Sequence, residues 1–266
     1  MLARRGVPSG GPPIPPRARI RLFALLACRD EMAHLPGYIA NVAPHVDGIV
    51  AFDDGSTDGS RAYLEARPEV LSVLRGAQAR ERWDEVGNYR ALVEEALRLG
   101  GGWALSLDAD ERLERDFRAR AERVIARGRL LGLSAYSVAM RELWDGPDRY
   151  RADGVWGRKA PPRLFRLRHD HRFDSRELHG SKVPLQALES RGRIALADLE
   201  VYHLGMIGEQ DRRERRERYE RLDPEALWQS REGYGYLTDP AGLELRPVPA
   251  DRGWTEVQDG ASGSPE

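Results

Sequence analysis

Two acidic clusters, Asp53-Asp54-Gly55-Ser56-Thr57-Asp58-Gly59-Ser60 and Asp108-Ala109-Asp110-Glu111, each follow directly on a short apolar run. Those runs, Val50-Ala51-Phe52 and Trp103-Ala104-Leu105-Ser106-Leu107, read as buried strands that deliver carboxylates to one edge of a sheet. In open α/β sheets that edge is where ligands bind. Carboxylates gathered there need a positive partner, and a hard divalent cation bridging phosphate oxygens is the usual one. Alternate residues of an extended segment point to the same side. Asp108 and Asp110 can therefore meet one Mn²⁺ or Mg²⁺, leaving positions open for phosphate oxygens. An ion held there neutralises the charge that builds on a departing diphosphate. Glu111 either orients this loop or touches an acceptor. The plainer alternative is an acidic loop that caps the next helix.

The first cluster serves a different chemistry. Asp53, at a strand end, can accept hydrogen bonds from a base N–H or a ribose hydroxyl, with Asp54 beside it. Gly55 and Gly59 permit the tight turn and the close approach of a ligand. Ser56, Thr57 and Asp58 read first as turn and cap residues for the helix that follows. A calcium loop is excluded, because the ligand spacing and terminal glutamate of an EF-hand are missing.

The elements that position these loops alternate regularly. Strands are expected over 20–27, 48–52, 70–74 and 103–107. Helices are expected over 35–42 and 60–66, and over 84–99, where Val86, Tyr89, Leu92, Val93, Ala96 and Leu97 fall at helical spacing. Gly100-Gly101-Gly102 ends that third helix. Phe117, Val124 and Ile125 mark another. This rhythm predicts an α/β fold with a mostly parallel central sheet. The second half is less regular, with strands expected over 133–140, 163–168 and 194–203. A charged helix over 209–221 mixes arginines with glutamates, the pattern of a solvated, salt-bridged surface. Asp223-Pro224 reads as the N-cap and first turn of a further short helix.

With 266 residues and 41% hydrophobic content, the chain can build one sizeable core. The mean hydropathy of -0.60 argues against a membrane-embedded protein. A formal net charge of -1 lacks the basic excess of a nucleic-acid binder. Lys159 and Lys182 are the only lysines, so arginine carries almost all the positive charge. Cys28 is the only cysteine, which excludes an intrachain disulfide and a multi-cysteine zinc site. The N-terminus lacks the apolar core of a secretory signal, and the run from Leu22 to Cys28 is too short to span a bilayer. The expectation is a soluble, cytoplasmic protein without a transmembrane segment, with peripheral membrane contact left open. Residues 1–17, rich in Pro and Gly, and the tail 255–266 are expected to be disordered.

Taken together, Ala27-Cys28-Arg29-Asp30-Glu31, then Asp53-Asp54-Gly55-Ser56-Thr57-Asp58-Gly59-Ser60, then Leu107-Asp108-Ala109-Asp110-Glu111 resemble glycosyltransferase family 2. The order and spacing of the three blocks carry the resemblance, which covers roughly residues 18–205. Arg29-Asp30-Glu31 stands where many relatives carry Lys-Asn-Glu. The resemblance implies a GT-A-type three-layer sandwich over 18–254. Within it, 18–112 would be the nucleotide-binding half, 113–205 the acceptor half and 206–254 a helical extension. It implies a nucleotide-diphosphate sugar donor, a divalent metal (Mn²⁺ or Mg²⁺) and inversion at the anomeric carbon. The acceptor is a sugar, lipid or protein that the sequence does not identify. By the same resemblance Asp30, Glu31, Asp53, Asp54, Arg90 and Asp108 would line the nucleotide, and Asp108 and Asp110 would form the metal motif. Arg90 is equally readable as a surface arginine.

An inverting transfer needs a carboxylate to deprotonate the attacking hydroxyl. In Phe173-Asp174-Ser175-Arg176-Glu177-Leu178-His179-Gly180 the preferred candidate is Glu177, with Asp174 second. His203, ending a strand, either completes the metal or diphosphate shell or is a satisfied strand-end histidine. Arg158, Lys159, Arg163 and Arg166 form a diphosphate cradle or an exposed basic stretch. Trp144 and Trp156 stack on a sugar or simply pack. Two rival readings stay open: a nucleotidyltransferase or phosphohydrolase using the same acidic metal site, and a non-catalytic sugar-nucleotide-binding module. The absence of a Gly-x-x-x-x-Gly-Lys-Ser/Thr pattern removes P-loop hydrolysis.

Overall fold

The computed structural model describes residues 20–76, 84–173, 182–186, 195–223 and 234–254. Its centre is β1 (Leu22–Cys28), a strand with all seven residues buried. Such a strand must lie inside a sheet covered on both faces, and parallel βα units provide that cover. On one side β1 pairs in parallel with β2 (Gly48–Asp53), which pairs in parallel with β3 (Val70–Arg75). On the other it pairs in parallel with β4 (Trp103–Leu107). The intervening helices are α1 (Leu35–Val42), α2 (Ser60–Glu65) and α3 (Glu85–Arg98). All seven elements match the sequence expectation to within two residues at either end.

Local chemistry explains the ends. Pro36 sits in the first turn of α1, where a missing N–H costs nothing. The Asp84 carboxylate caps α3 by accepting from Gly87 N–H at 2.8 Å. At its other end Gly101 N–H returns to the Ala96 carbonyl with φ of 64°, a left-handed turn that glycine takes without strain.

The second half completes the sheet less regularly. β5 (Glu111–Leu113) follows the second acidic loop at once, and α4 (Phe117–Leu130) leads to β6 (Ala135–Glu142). β8 (Pro162–Arg166) inserts antiparallel between β4 and β6, while β9 (Ala195–His203) runs parallel to β6 and antiparallel to β5. The sheet order is β3-β2-β1-β4-β8-β6-β9-β5. Between β6 and β8 lies β7 (Arg149–Arg151), which pairs antiparallel with β10 (Leu245–Pro247) in a separate two-stranded ribbon. The strands β5, β7 and β10 were not expected, because three residues are too few to show a period. The charged helix forms as α5 (Glu209–Leu222). The helix expected after Asp223 lies outside the described residues.

Side-chain alternation along β1 divides the core in two. Leu22, Ala24, Leu26 and Cys28 face Tyr38 of α1, Leu64 of α2 and Phe117 of α4. Phe23, Leu25 and Ala27 face Tyr89, Leu92 and Val93 of α3. The result is a three-layer α/β sandwich, parallel in its first half and mixed in its second. Among the described residues no helix is long and apolar enough to cross a membrane.

Candidate active site

Three neighbouring parallel strands, β2, β1 and β4, end together. Cys28 is in register with Asp53, and Leu26 with Leu107. Adjacent strands lie about 4.8 Å apart, so the segments Arg29–Glu31, Asp53–Asp54 and Asp108–Asp110 leave the sheet along one short edge. The carboxyl charges are close enough to act on each other. Burial, then Asp110 and Asp108, push the Glu31 carboxyl up to about 7.

The first loop is tied largely by its neighbours. Asp53 is buried, and Ser56 N–H approaches its carboxylate at 3.4 Å. Arg29 donates to Asp54 twice, through Nε to the carbonyl at 2.7 Å and through Nη2 to Oδ2 at 2.5 Å. Asp54 Oδ1 is buried with no hydrogen-bond partner among the described residues. Asp30 adopts a left-handed backbone (φ 56°) and clamps the loop: its N–H donates to Ser56 Oγ at 2.9 Å, and its Oδ1 accepts from Thr57 N–H at 2.6 Å. Asp58 Oδ1 accepts from the N–H and hydroxyl of Ser60 at 2.9 and 2.6 Å, closing the start of α2. Glu31 N–H donates to Ser60 Oγ at 2.9 Å, which joins the β1 tip to the same helix. Arg90 is exposed on α3, its guanidinium 5.8 Å from the centre of the Phe173 ring.

The second loop is held by cations from the second half of the chain. Lys182 Nζ lies 2.5 and 2.6 Å from the two oxygens of Asp108, with Arg163 at 3.7 Å. Burial opposes the charge on Asp108, but Lys182 and Arg163 outweigh it and hold the carboxyl below its ordinary value. Glu111 orients the loop: its Oε2 accepts from Asp108 N–H at 3.0 Å, and its Oε1 meets Arg163 at 2.5 Å. Asp110 Oδ2 receives His203 Nε2 at 3.0 Å and Arg215 at 3.4 Å. Gly205 lets these groups meet, since a Cβ there would lie 2.5 Å from both Asp110 Oδ2 and Arg215 Nη2.

His203 stands between two carboxylates. On β9 it is in register with Glu142 of β6 and Glu111 of β5. Its Nδ1 bonds Glu142, which also takes the ammonium of Lys159. Burial disfavours the imidazolium, but Asp110 and Glu142 prevail and push it up to about 10. Burial likewise opposes ionisation of Glu142, yet His203 and Lys159 bring it down to about 2.

The two sequence candidates for the base, Glu177 and Asp174, lie outside the described residues. Trp144 and Trp156 pack edge to face at 6.0 Å, with Arg151 4.6 and 5.1 Å from their ring centres. Sequence reading missed Arg29, Lys182, Glu142 and Arg215. The one available signal was the rarity of lysine: both lysines of the chain sit on carboxylates of this network.

The donor set suits a small divalent cation in part. Among the described residues no group of three or more His, Cys, Asp or Glu is disposed to hold a metal ion. Asp110 and His203 face each other at 3.0 Å, but with a carboxylate on each ring nitrogen His203 is held as the imidazolium, and it would ligate a metal through Nε2 only on giving up that proton. Magnesium needs only one or two protein carboxylates when phosphate oxygens and water complete its shell. Asp108 could be the second, in competition with Lys182.

No protein-family model matches the chain, and no curated protein matches it. Solved structures similar to it include residues 1–349 of S. aureus TarS, with a TM-score of 0.49, 12% identity and 76% of this chain covered. The same fragment in complex with UDP matches with a TM-score of 0.48 and 13% identity over 76% of this chain. The match spans 66% of that fragment in both cases. A 4-diphosphocytidyl-2C-methyl-D-erythritol synthase matches with a TM-score of 0.41 and 17% identity, over 67% of this chain and 88% of that one. At these identities and scores the likenesses carry no function, and the site stands on this chain's own side chains.

Proposed function

We propose that the protein is a glycosyltransferase that moves a sugar from a nucleotide-diphosphate donor to an acceptor hydroxyl, with inversion. The observation that carries this reading is the shared edge of β2, β1 and β4. There Asp53, Glu31, Asp108 and Asp110 converge beside Lys182, Arg163 and Arg215. In this reading the acids recognise a nucleoside and the cations face a diphosphate along one sheet edge.

In this reading Asp53 and the unpartnered Oδ1 of Asp54 accept from the nucleoside. Asp30 and Glu31 hold the β1 tip against the same loop. Lys182, Arg163 and Arg215 stabilise the negative charge of the leaving diphosphate, the kind of fixed electrostatic assistance that contributes most to such steps. Mn²⁺ or Mg²⁺, held by Asp110, His203 and Asp108, would supply further neutralisation of that charge. Glu177, or Asp174 after it, takes the proton of the attacking hydroxyl.

A thermal-shift screen of UDP, GDP and dTDP with and without Mn²⁺ tests this. One nucleoside diphosphate should stabilise the protein in a metal-dependent way, and Asp108→Ala and Asp110→Ala should abolish the metal dependence. Turnover with the matching nucleotide sugar should release nucleoside diphosphate together with glycosylated product. Release of pyrophosphate would instead support the nucleotidyltransferase reading.

A further inference from the structure

Beside the acidic edge lies a cavity of about 310 Å³, between the end of β6, the turn at Trp156, α5 and the turn at Tyr236. Its walls include Glu142, Trp156, Lys159, Arg215, Tyr219 and Tyr236. We propose that this cavity is the acceptor subsite and that it takes a single ring of a neutral sugar. The proposal rests on the glycosyltransferase reading for the word acceptor, and on the cavity's own chemistry for the sugar.

Position comes first. Glu142 and Arg215 line the cavity and also belong to the cradle of Asp110, through His203 and directly. A ring held there lies next to the edge where the donor's diphosphate is expected. A second cavity, of about 620 Å³, runs along the outer face of α5 and shares none of these residues. Its charged groups are largely engaged with each other, as in Arg213–Glu209, Arg216–Glu220 and Arg212–Asp145.

The walls suit a pyranose. Trp156 and Tyr236, packed against each other at 5.7 Å and 47°, line the cavity together with Tyr219, which makes one wall aromatic, as the C–H side of a sugar ring requires. The polar corner is the Lys159–Glu142 pair, which presents donors and acceptors side by side, as adjacent hydroxyls require. Charge speaks against an anionic ligand: the ammonium of Lys159 is already held by Glu142, itself an anion on the cavity wall. The volume lies at the low end of small-ligand sites, roughly 300–1,000 Å³, which fits one ring and not an oligosaccharide.

Saturation-transfer NMR on the full chain provides the test, with methyl β-D-glucopyranoside, methyl β-D-galactopyranoside, methyl α-D-mannopyranoside and inorganic phosphate as separate probes. At least one glycoside should receive magnetisation at its ring protons. Tyr236→Leu and Tyr219→Leu, both at half-buried positions, should weaken that binding tenfold or more while nucleoside diphosphate affinity stays within twofold. Asp53→Asn should do the reverse. Failure of every glycoside, unchanged glycoside binding in both tyrosine variants, or tighter binding of phosphate that displaces the glycoside would each overturn the proposal. Glycoside binding with no response to any nucleoside diphosphate would sink the transferase reading and leave the sugar pocket standing.

Discussion

The two acidic loops end neighbouring parts of one sheet, yet they draw their counter-charges from very different distances along the chain. Asp54 is met by Arg29, 25 residues away on the adjoining strand tip. Asp108 is met by Lys182 across 74 residues, and Asp110 by Arg215 across 105. The first loop is thus completed within the parallel half. The second acquires its charge balance only when the mixed half has closed over it. Local order and long-range order are therefore separable here: the first acidic loop is built by regular βα units, and the second by the packing of irregular ones.

The sharpest way to break this contrast is Arg163→Leu. Arg163 and Glu111 are both buried and joined at 2.5 Å, so the substitution strands an unpaired carboxylate. A loss of about 3–5 kcal/mol is expected in urea unfolding, and a loss below about 1 kcal/mol would show that the distant cations are not needed for stability. Next comes pH. The folded pKa of His203 is raised, so its contribution is full below 6.5 and is lost as pH rises toward about 10. That of Glu142 is lowered, so its contribution is present above 4.5 and fades as pH falls toward about 2. Because the two groups share one interaction, they should together give a stability plateau from pH 4.5 to 6.5, with about 2–3 kcal/mol lost on each flank. Unfolding of His203→Gln across pH should lack the alkaline flank.

Arg29→Leu addresses the local loop and should cost about 1–3 kcal/mol, because the Asp54 carboxylate stays buried. Lys182→Met sharpens the comparison through binding. Freed of the ammonium, Asp108 becomes available to Mn²⁺, and calorimetry should show the ion binding about tenfold tighter, or ~1.4 kcal/mol. Unchanged affinity would mean that Asp108 is not a ligand. The smallest effect is expected for Glu220→Ala on α5, whose exposed pair with Arg216 should be worth about 0.5 kcal/mol or less in thermal unfolding.

Much of the parallel half was legible because each of its elements announces itself locally. β1, β2 and β4 are continuous apolar runs, and Asp84 and Gly101 mark the two ends of α3 with side-chain and backbone chemistry. Asp53, Asp108 and Asp110 stood out for the same reason, since they end or directly follow such a run. Of the site's cations, Arg163 stood out only within a basic stretch and Lys182 only as a rare lysine; Arg163 meets its carboxylates when β8 inserts antiparallel beside β4 and turns it inward. Glu142 is an unremarkable charged residue at a strand end. Only the register of β6 against β9 sets it opposite His203, and register between distant strands leaves no trace in composition or periodicity.

The thiol of Cys28 offers a practical handle on the same edge. It is the chain's sole cysteine, at the last position of β1, and burial followed by the charges of Asp53 and Glu31 keeps it protonated. An alkylating reagent can react only when the strand tip opens, because the nucleophile is the thiolate. The rate of its modification is therefore a clock for opening of the sheet edge, and a bound nucleotide should slow that clock.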